Sequence, residues 1–283
     1  MLGPFDFIPG SMVVSMFVLS VVVIAVVLAL VAQTPISDVV RERIEQLFGE
    51  TTIPETHVVA IAFVIGVGAF HTPIKLVLRY FSTVVHELGH ALMAGALLAR
   101  PKSIHIHPSS SGLAIYELSP NWGRFRASLV SAAGYPAPGL AALAAVYAVQ
   151  EGFGTAWTVF AASVLAVAIV LLIRNIWGFL WTTSIVVGSY FGITQLSSEW
   201  LAAGAVFIAG FLALSGIEFA WVQLRLVKHA PGSGVDAESI SHYLGVGPRF
   251  VAWVHLFISL VTGVLAGFYA VQPYVDDMVK AFN

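Results

Sequence analysis

The chain alternates long apolar runs with short polar connections, and that alternation predicts a bundle of membrane-crossing helices. Residues 12–32 form the first run, 21 positions without a charge. At ~1.5 Å per residue that is long enough to cross ~30 Å of hydrocarbon. Further runs fall near 57–70, 74–98, 127–149, 156–173, 176–193, 200–221 and 250–271. The run at 57–70 is short, and Pro73 breaks it from the next. The pattern therefore reads as about eight crossings, or about seven with a re-entrant piece. Between the first two runs, residues 33–56 are polar and rich in acids and Arg. Their apolar positions, Val39, Val40, Ile44, Leu47 and Phe48, suit a short interfacial amphipathic helix opened by Ser37 and Asp38. One stretch follows a different period. Ile104 and Ile106 alternate with His105 and His107, Pro108 to Gly112 supply a turn, and a second strand runs through Tyr116. This predicts a β-hairpin at the cytoplasmic face.

Composition supports the membrane reading. Apolar residues make up 58% of the 283 positions and charged residues 10%, too little charge to coat a water-facing surface. Disorder and a coiled coil are excluded on the same ground. A net charge of −2 argues against a nucleic-acid partner. The N-terminus has only Asp6 ahead of its apolar run and no Lys or Arg, so it reads as a retained span and not a cleavable signal. Basic residues cluster in the connections holding Arg100, Lys102, Arg124 and Arg126, then Arg174, then Arg225, Lys228 and Arg249. The positive-inside bias puts all three on the cytoplasmic side. Lys75 and Arg79 fall at the opposite end of their run, against that bias. The expected fold is an all-α polytopic protein of the plasma membrane, with about seven to eight transmembrane helices and a small cytoplasmic hairpin.

The absence of Cys removes disulfides, thiolate catalysis and every Cys-bearing metal site. Within the run at 74–98 stand His86, Glu87 and His90, spaced as HExxH. The i, i+4 spacing stacks both imidazoles on one helix face, where they can share a zinc ion. Glu87 then reaches the water on the metal and can act as general base. At this chain's His and Glu frequencies only about 0.01 such matches are expected by chance. Ten residues separate His90 from Arg100, about 15 Å of helix rise, which sets the motif near mid-bilayer. Ionisable groups at that depth are costly and usually functional.

The stretches VVHELGHALMAGALLARPKSIHIHPSSSGLAIYE, SAAGYPAPGLAALAA, IRNIWGFL and GVDAESISHYLGVGP occur in that order. Their succession resembles the site-2-protease-like intramembrane zinc metalloproteases, and most closely the compact bacterial, peptidase B-like branch. The resemblance runs from about Val84 to Pro248. It implies His86 and His90 as zinc ligands, Glu87 as catalytic base and Asp236 as third ligand, in place of the aspartate of the family's LDG motif. Neither the Leu before that Asp nor the Gly after it is present. It also implies a Gly/Pro-broken helix lining the cleft at Gly134, Pro136 and Pro138, although the family's usual Asn is absent there. Asn175 is the nearest polar stand-in for oxyanion stabilisation, with a capping or turn role as its alternative. The implied activity is a zinc-dependent endopeptidase acting on membrane-tethered proteins in or near their transmembrane segments. Substrate and bilayer are the expected partners.

Alternatives remain beside these assignments. Glu218, an acid within the run at 200–221, reads as a ligand, a proton relay or the partner of a buried cation. His105 and His107 read as solvent-facing strand residues, and Ser109 to Ser111 as a turn without a serine-hydrolase elbow. Pro136 and Pro138 also fit a discontinuous transporter helix, so a membrane binding or transport protein with a structural metal is the competing function. Residues 1–56 form an N-terminal anchor in this reading, and 57–283 the metalloprotease-like core.

Overall fold

The computed structural model describes residues 54–117 and 123–282. The expected span at 12–32 and nearly all of the interfacial segment after it lie outside the described residues. Helix α1 is Thr56–Ala69 and α2 is Lys75–Ala96. A hairpin follows, β1 Arg100–Ile106 and β2 Gly112–Glu117. Then come α3 Arg124–Ala132, α4 Pro136–Gln150, α5 Gly154–Leu171, α6 Ile176–Gln195, α7 Ser198–His229, α8 Asp236–Leu244 and α9 Pro248–Phe282. The protein is mostly helical, with one small antiparallel sheet.

Four of these helices, α5, α6, α7 and α9, are long and apolar enough to cross a membrane. A fifth crossing results if α3 and α4, bent by 57° at their junction, count as one span. The described residues thus support four to five crossings, fewer than the apolar runs alone predicted. The reason is physical. Helix α1 has 14 residues, about 21 Å of rise, short of the hydrocarbon core. Helix α2 has the length but carries Lys75, Arg79, His86, Glu87 and His90.

Helix α2 is built inside out. Ser82, Thr83, Glu87 and His90 are buried, whereas Leu76, Val77 and Leu92 are exposed. Large apolar side chains such as Val170, Ile176, Phe250 and Phe257 also face outward. That distribution suits lipid as the surrounding solvent. Helix α7 forms the centre of the bundle and packs on α1, α4 and α9. Small residues there, including Ala142, Ala145, Ala202 and Ala209, let the helices approach closely.

One face of the hairpin packs into the helix bundle. Ile104 and Ile106 are fully buried against α2 and α5. The outer edge of β1 is satisfied by the α5–α6 turn, where Ile104 N–H donates to Leu172 O at 2.7 Å and Arg174 N–H donates to Ile104 O at 3.2 Å. At the tip, the Tyr80 hydroxyl donates to Pro108 O at 2.6 Å and the Thr83 hydroxyl to Ser110 O at 2.8 Å. The hairpin therefore runs back along α2 past the HExxH turn. Burying two isoleucines and pairing the backbone on both sides of β1 removes the polar edge that would otherwise hold it in water. The Arg174 turn thus bonds to the middle of β1, and α3 packs on α8.

Candidate metal centre

His86 and His90 project from the buried face of α2, and their Nε2 atoms stand 3.2 Å apart. His90 Nδ1 lies 2.8 Å from Val130 O on α3. A carbonyl only accepts, so Nδ1 carries a proton and donates to it, which leaves Nε2 as the atom turned toward Asp236. Asp236 Oδ2 completes the group, 3.5 Å from His86 Nε2 and 3.1 Å from His90 Nε2. Asp236 is the first residue of α8, and that short helix packs on α3 beside the site. The loop before it holds Gly232 and Gly234 at positive φ, and both of their N–H groups donate to the Glu238 carboxylate at 2.8 Å. Burial would raise the Asp236 carboxyl, but the His90 and His86 imidazoles outweigh it and hold the group well below the usual carboxylate range.

Two glycines border the cluster. A Cβ on Gly134, in the bend between α3 and α4, would stand 2.3 Å from His90 Nε2 and 2.7 Å from His86 Nε2. A Cβ on Gly112 of β2 would stand 2.3 Å from Glu87 Oε1. Glu87 is buried, with the Ala114 backbone amide beside its carboxylate. The hairpin therefore covers the Glu87 side, while Gly134 leaves an opening in front of both imidazoles. Pro136 opens α4 at its first position, where a missing N–H costs nothing. Farther along the same face of β2, Tyr116 shares a hydrogen bond with Ser131 Oγ at 3.1 Å, and burial raises its phenol.

The donor set fits a metal ion. Tetrahedral ligands at ~2.0–2.1 Å from zinc stand about 3.3 Å apart, and the three donor spacings of 3.1, 3.2 and 3.5 Å bracket that value. Two imidazoles and a carboxylate suit a divalent ion.

Other candidate residues lie elsewhere. Glu218 pairs with Lys75 Nζ at 2.8 Å, the buried-cation option among its readings, and Lys75 also sits over the Phe70 ring. This explains how Lys75 is tolerated against the charge bias. The Asn175 amide donates to Ile106 O at 2.7 Å and accepts from Ile106 N–H at 3.1 Å. It mimics a neighbouring strand for the end of β1, which is the turn role among its readings. His107 is exposed and His105 half-buried, its imidazole held below the ordinary range by burial, His107 and Arg174. An apolar cavity of about 830 Å³ lies against Val85, Leu88 and Leu92 on the opposite face of α2, and no member of the His–Glu–Asp cluster lines it.

Sequence reasoning missed the wall behind His86. Tyr135 meets the His86 ring at 4.7 Å and 90°, and Phe219 meets it at 5.9 Å and 83°. His255 stacks on Tyr135, and its Nδ1 lies 2.9 Å from Gln223 Oε1. The available signal was a His and a Gln inside apolar helices, both almost completely buried.

A family profile described as Peptidase M50B-like matches residues 56–268. The chain belongs to that family. It is the site-2-protease-like family that the motifs resembled, and the match extends from the start of α1 into α9. Membership supports a metallopeptidase, and the apolar helices support a multi-pass membrane protein. No curated protein matches the chain. No solved structure matches it either.

Proposed function

We propose that the chain is a zinc-dependent intramembrane endopeptidase of the plasma membrane that cleaves membrane-tethered proteins within or near a transmembrane segment. The observation that carries this reading is the convergence of His86, His90 and Asp236 with Glu87 beside them, on a helix whose exposed face is apolar. His86 and His90 from α2 and Asp236 from α8 would hold the ion. When bound, zinc supplies Lewis acidity that polarises the scissile carbonyl and activates water near neutral pH. Glu87 takes the proton of the attacking water on a carboxylate oxygen and passes it to the leaving nitrogen. The hairpin shields this carboxylate from bulk water. Because β1 is paired on both sides, the outer edge of β2 is available to an unwound substrate segment by strand addition. Gly134 and Pro136 border the space in front of the imidazoles and leave room for the substrate backbone.

The competing reading, a binding or transport protein with a structural metal, expects a closed four-ligand site. Among the described residues only three donors converge, the number typical of a catalytic zinc with one open position. We further propose seven to eight crossings, counting α1, α2 and the run at 12–32, with 57–283 as the peptidase core and 1–56 as an anchor. The family match beginning at residue 56 supports this division.

The test is zinc content together with cleavage of a model transmembrane substrate by the purified protein. The wild type should bind zinc and cleave. Glu87→Gln should keep its zinc and lose ~10²–10⁴-fold in rate. Cleavage by Glu87→Gln at the wild-type rate would sink the mechanism.

A further inference from the structure

The two imidazoles of the centre are held in different ways. His90 is locked by a hydrogen bond from Nδ1 to Val130 O. His86 Nδ1 is buried and has no hydrogen-bond partner among the described residues. A metal-ligating imidazole usually donates from its second nitrogen to a carboxylate, carbonyl or water, and that contact fixes its orientation. His86 is flanked instead by aromatic rings. Tyr135 stands perpendicular to it at 4.7 Å, and Phe219 does so at 5.9 Å from α7. Tyr135 is itself clamped. Its other face is stacked on His255 at 5.0 Å and 17°, its carbonyl accepts from Ser259 Oγ at 3.3 Å, and its side chain is 8% exposed. His255 is in turn fixed by Gln223, which is fully buried.

We propose that Tyr135 is the positioning residue for His86, acting through its ring, and that His255 and Gln223 are the backing that keeps the ring in place. The inference rests on the metallopeptidase reading but goes beyond its ligand set. An edge-to-face aromatic pair is favourable beyond its area burial. A pair of this kind restrains ring rotation while leaving Nε2 turned toward His90 and Asp236. The arrangement ties α4, α7 and α9 to a ligand on α2, so the rear wall of the bundle sets the geometry of the metal site.

The ring and hydroxyl contributions separate by substitution. Zinc affinity is measured by competition with a chromophoric chelator, and site geometry by the visible absorption of the cobalt-loaded protein. Tyr135→Phe keeps the ring and should bind zinc within ~3-fold of wild type. Tyr135→Leu fills similar space without a flat face and should lose ~10–100-fold in affinity, as loss of an outer-shell partner does. Its cobalt spectrum should also change. His255→Leu removes the backing and should give a smaller loss, ~3–10-fold on the same scale. Wild-type affinity in Tyr135→Leu overturns the inference, and so does a loss in Tyr135→Phe equal to that in Tyr135→Leu. If Tyr135→Leu does not fold, the decision passes to His255→Leu, where unchanged affinity and an unchanged cobalt spectrum overturn it. A wild-type chain that binds no metal overturns the metallopeptidase reading itself, and the inference with it.

Discussion

Gly134→Ala should empty the metal centre while leaving the fold standing. The added carbon would lie 2.3 Å from His90 Nε2 and 2.7 Å from His86 Nε2. A non-bonded carbon and nitrogen need roughly 3.4 Å, near the optimum of their van der Waals contact. A zinc ion sits ~2.0–2.1 Å from imidazole nitrogen, so the methyl group would occupy the metal's own volume. Retreat of the main chain is restricted. Ala133 O already lies against Gly89 of α2, where a Cβ would meet it at 2.6 Å. The rings are also held, His90 by Val130 and His86 by Tyr135. Accommodation requires a shift of about 1 Å, a typical overpacking cost of ~1–3 kcal/mol for the metal-free protein, which a folded bundle can absorb. Metal binding should weaken at least ~100-fold, about 2.7 kcal/mol. The assay is zinc content by elemental analysis, with thermal unfolding in detergent with and without chelator. Wild-type Tm should fall when chelator removes the ion, because a ligand bound only to the native state stabilises it. Gly134→Ala should show the same Tm in both conditions. One tightly held zinc in Gly134→Ala, with a wild-type response to chelator, would refute the close approach on which this reasoning depends.

Other outcomes follow from the same geometry. Asp236→Ala should lose zinc, whereas Glu218→Ala should keep it and lose stability, because Lys75 is left without its carboxylate; the reverse pattern in zinc content would transfer the ligand role to Glu218. Glu238→Gln should weaken zinc binding by roughly 10-fold, since it replaces a charged acceptor of two N–H groups with a neutral amide in the loop that delivers Asp236. A Glu238→Gln affinity indistinguishable from wild type, measured by chelator competition, would show that the loop needs no clasp.

What could be read directly was local. The i, i+4 spacing of His86 and His90 falls on one helix face wherever that helix lies, because 3.6 residues per turn is a property of the backbone. The membrane setting followed from composition for an equally local reason, since too few charges exist to solvate a surface. The hairpin was visible as alternation through Ile104 and Ile106. Its burial was not, because that depends on Asn175 and Leu172 arriving at the edge of β1 from a distant turn. Four to five crossings meet the test of length and apolarity among the described residues, and hydropathy reports composition without depth or direction. Helix α2 turns its polar face inward, α1 is short, and α3 bends into α4.

Asp236 shows the boundary most clearly. Its three-residue context resembled a family motif only in part, and Glu218 competed with it on nominal depth. Packing of α8 on α3 brings Asp236 to both imidazoles, and the ion pair with Lys75 takes Glu218 away. Tyr135, His255 and Gln223 left no mark in sequence beyond being polar within apolar runs. The sequence by itself therefore determined the helices, the bilayer and the HExxH face, all of which depend on neighbouring residues. Only the tertiary structure brought Asp236 to the imidazoles, buried one face of the hairpin and set the rings against His86. Those depend on how side chains far apart in the chain exclude one another when the helices close.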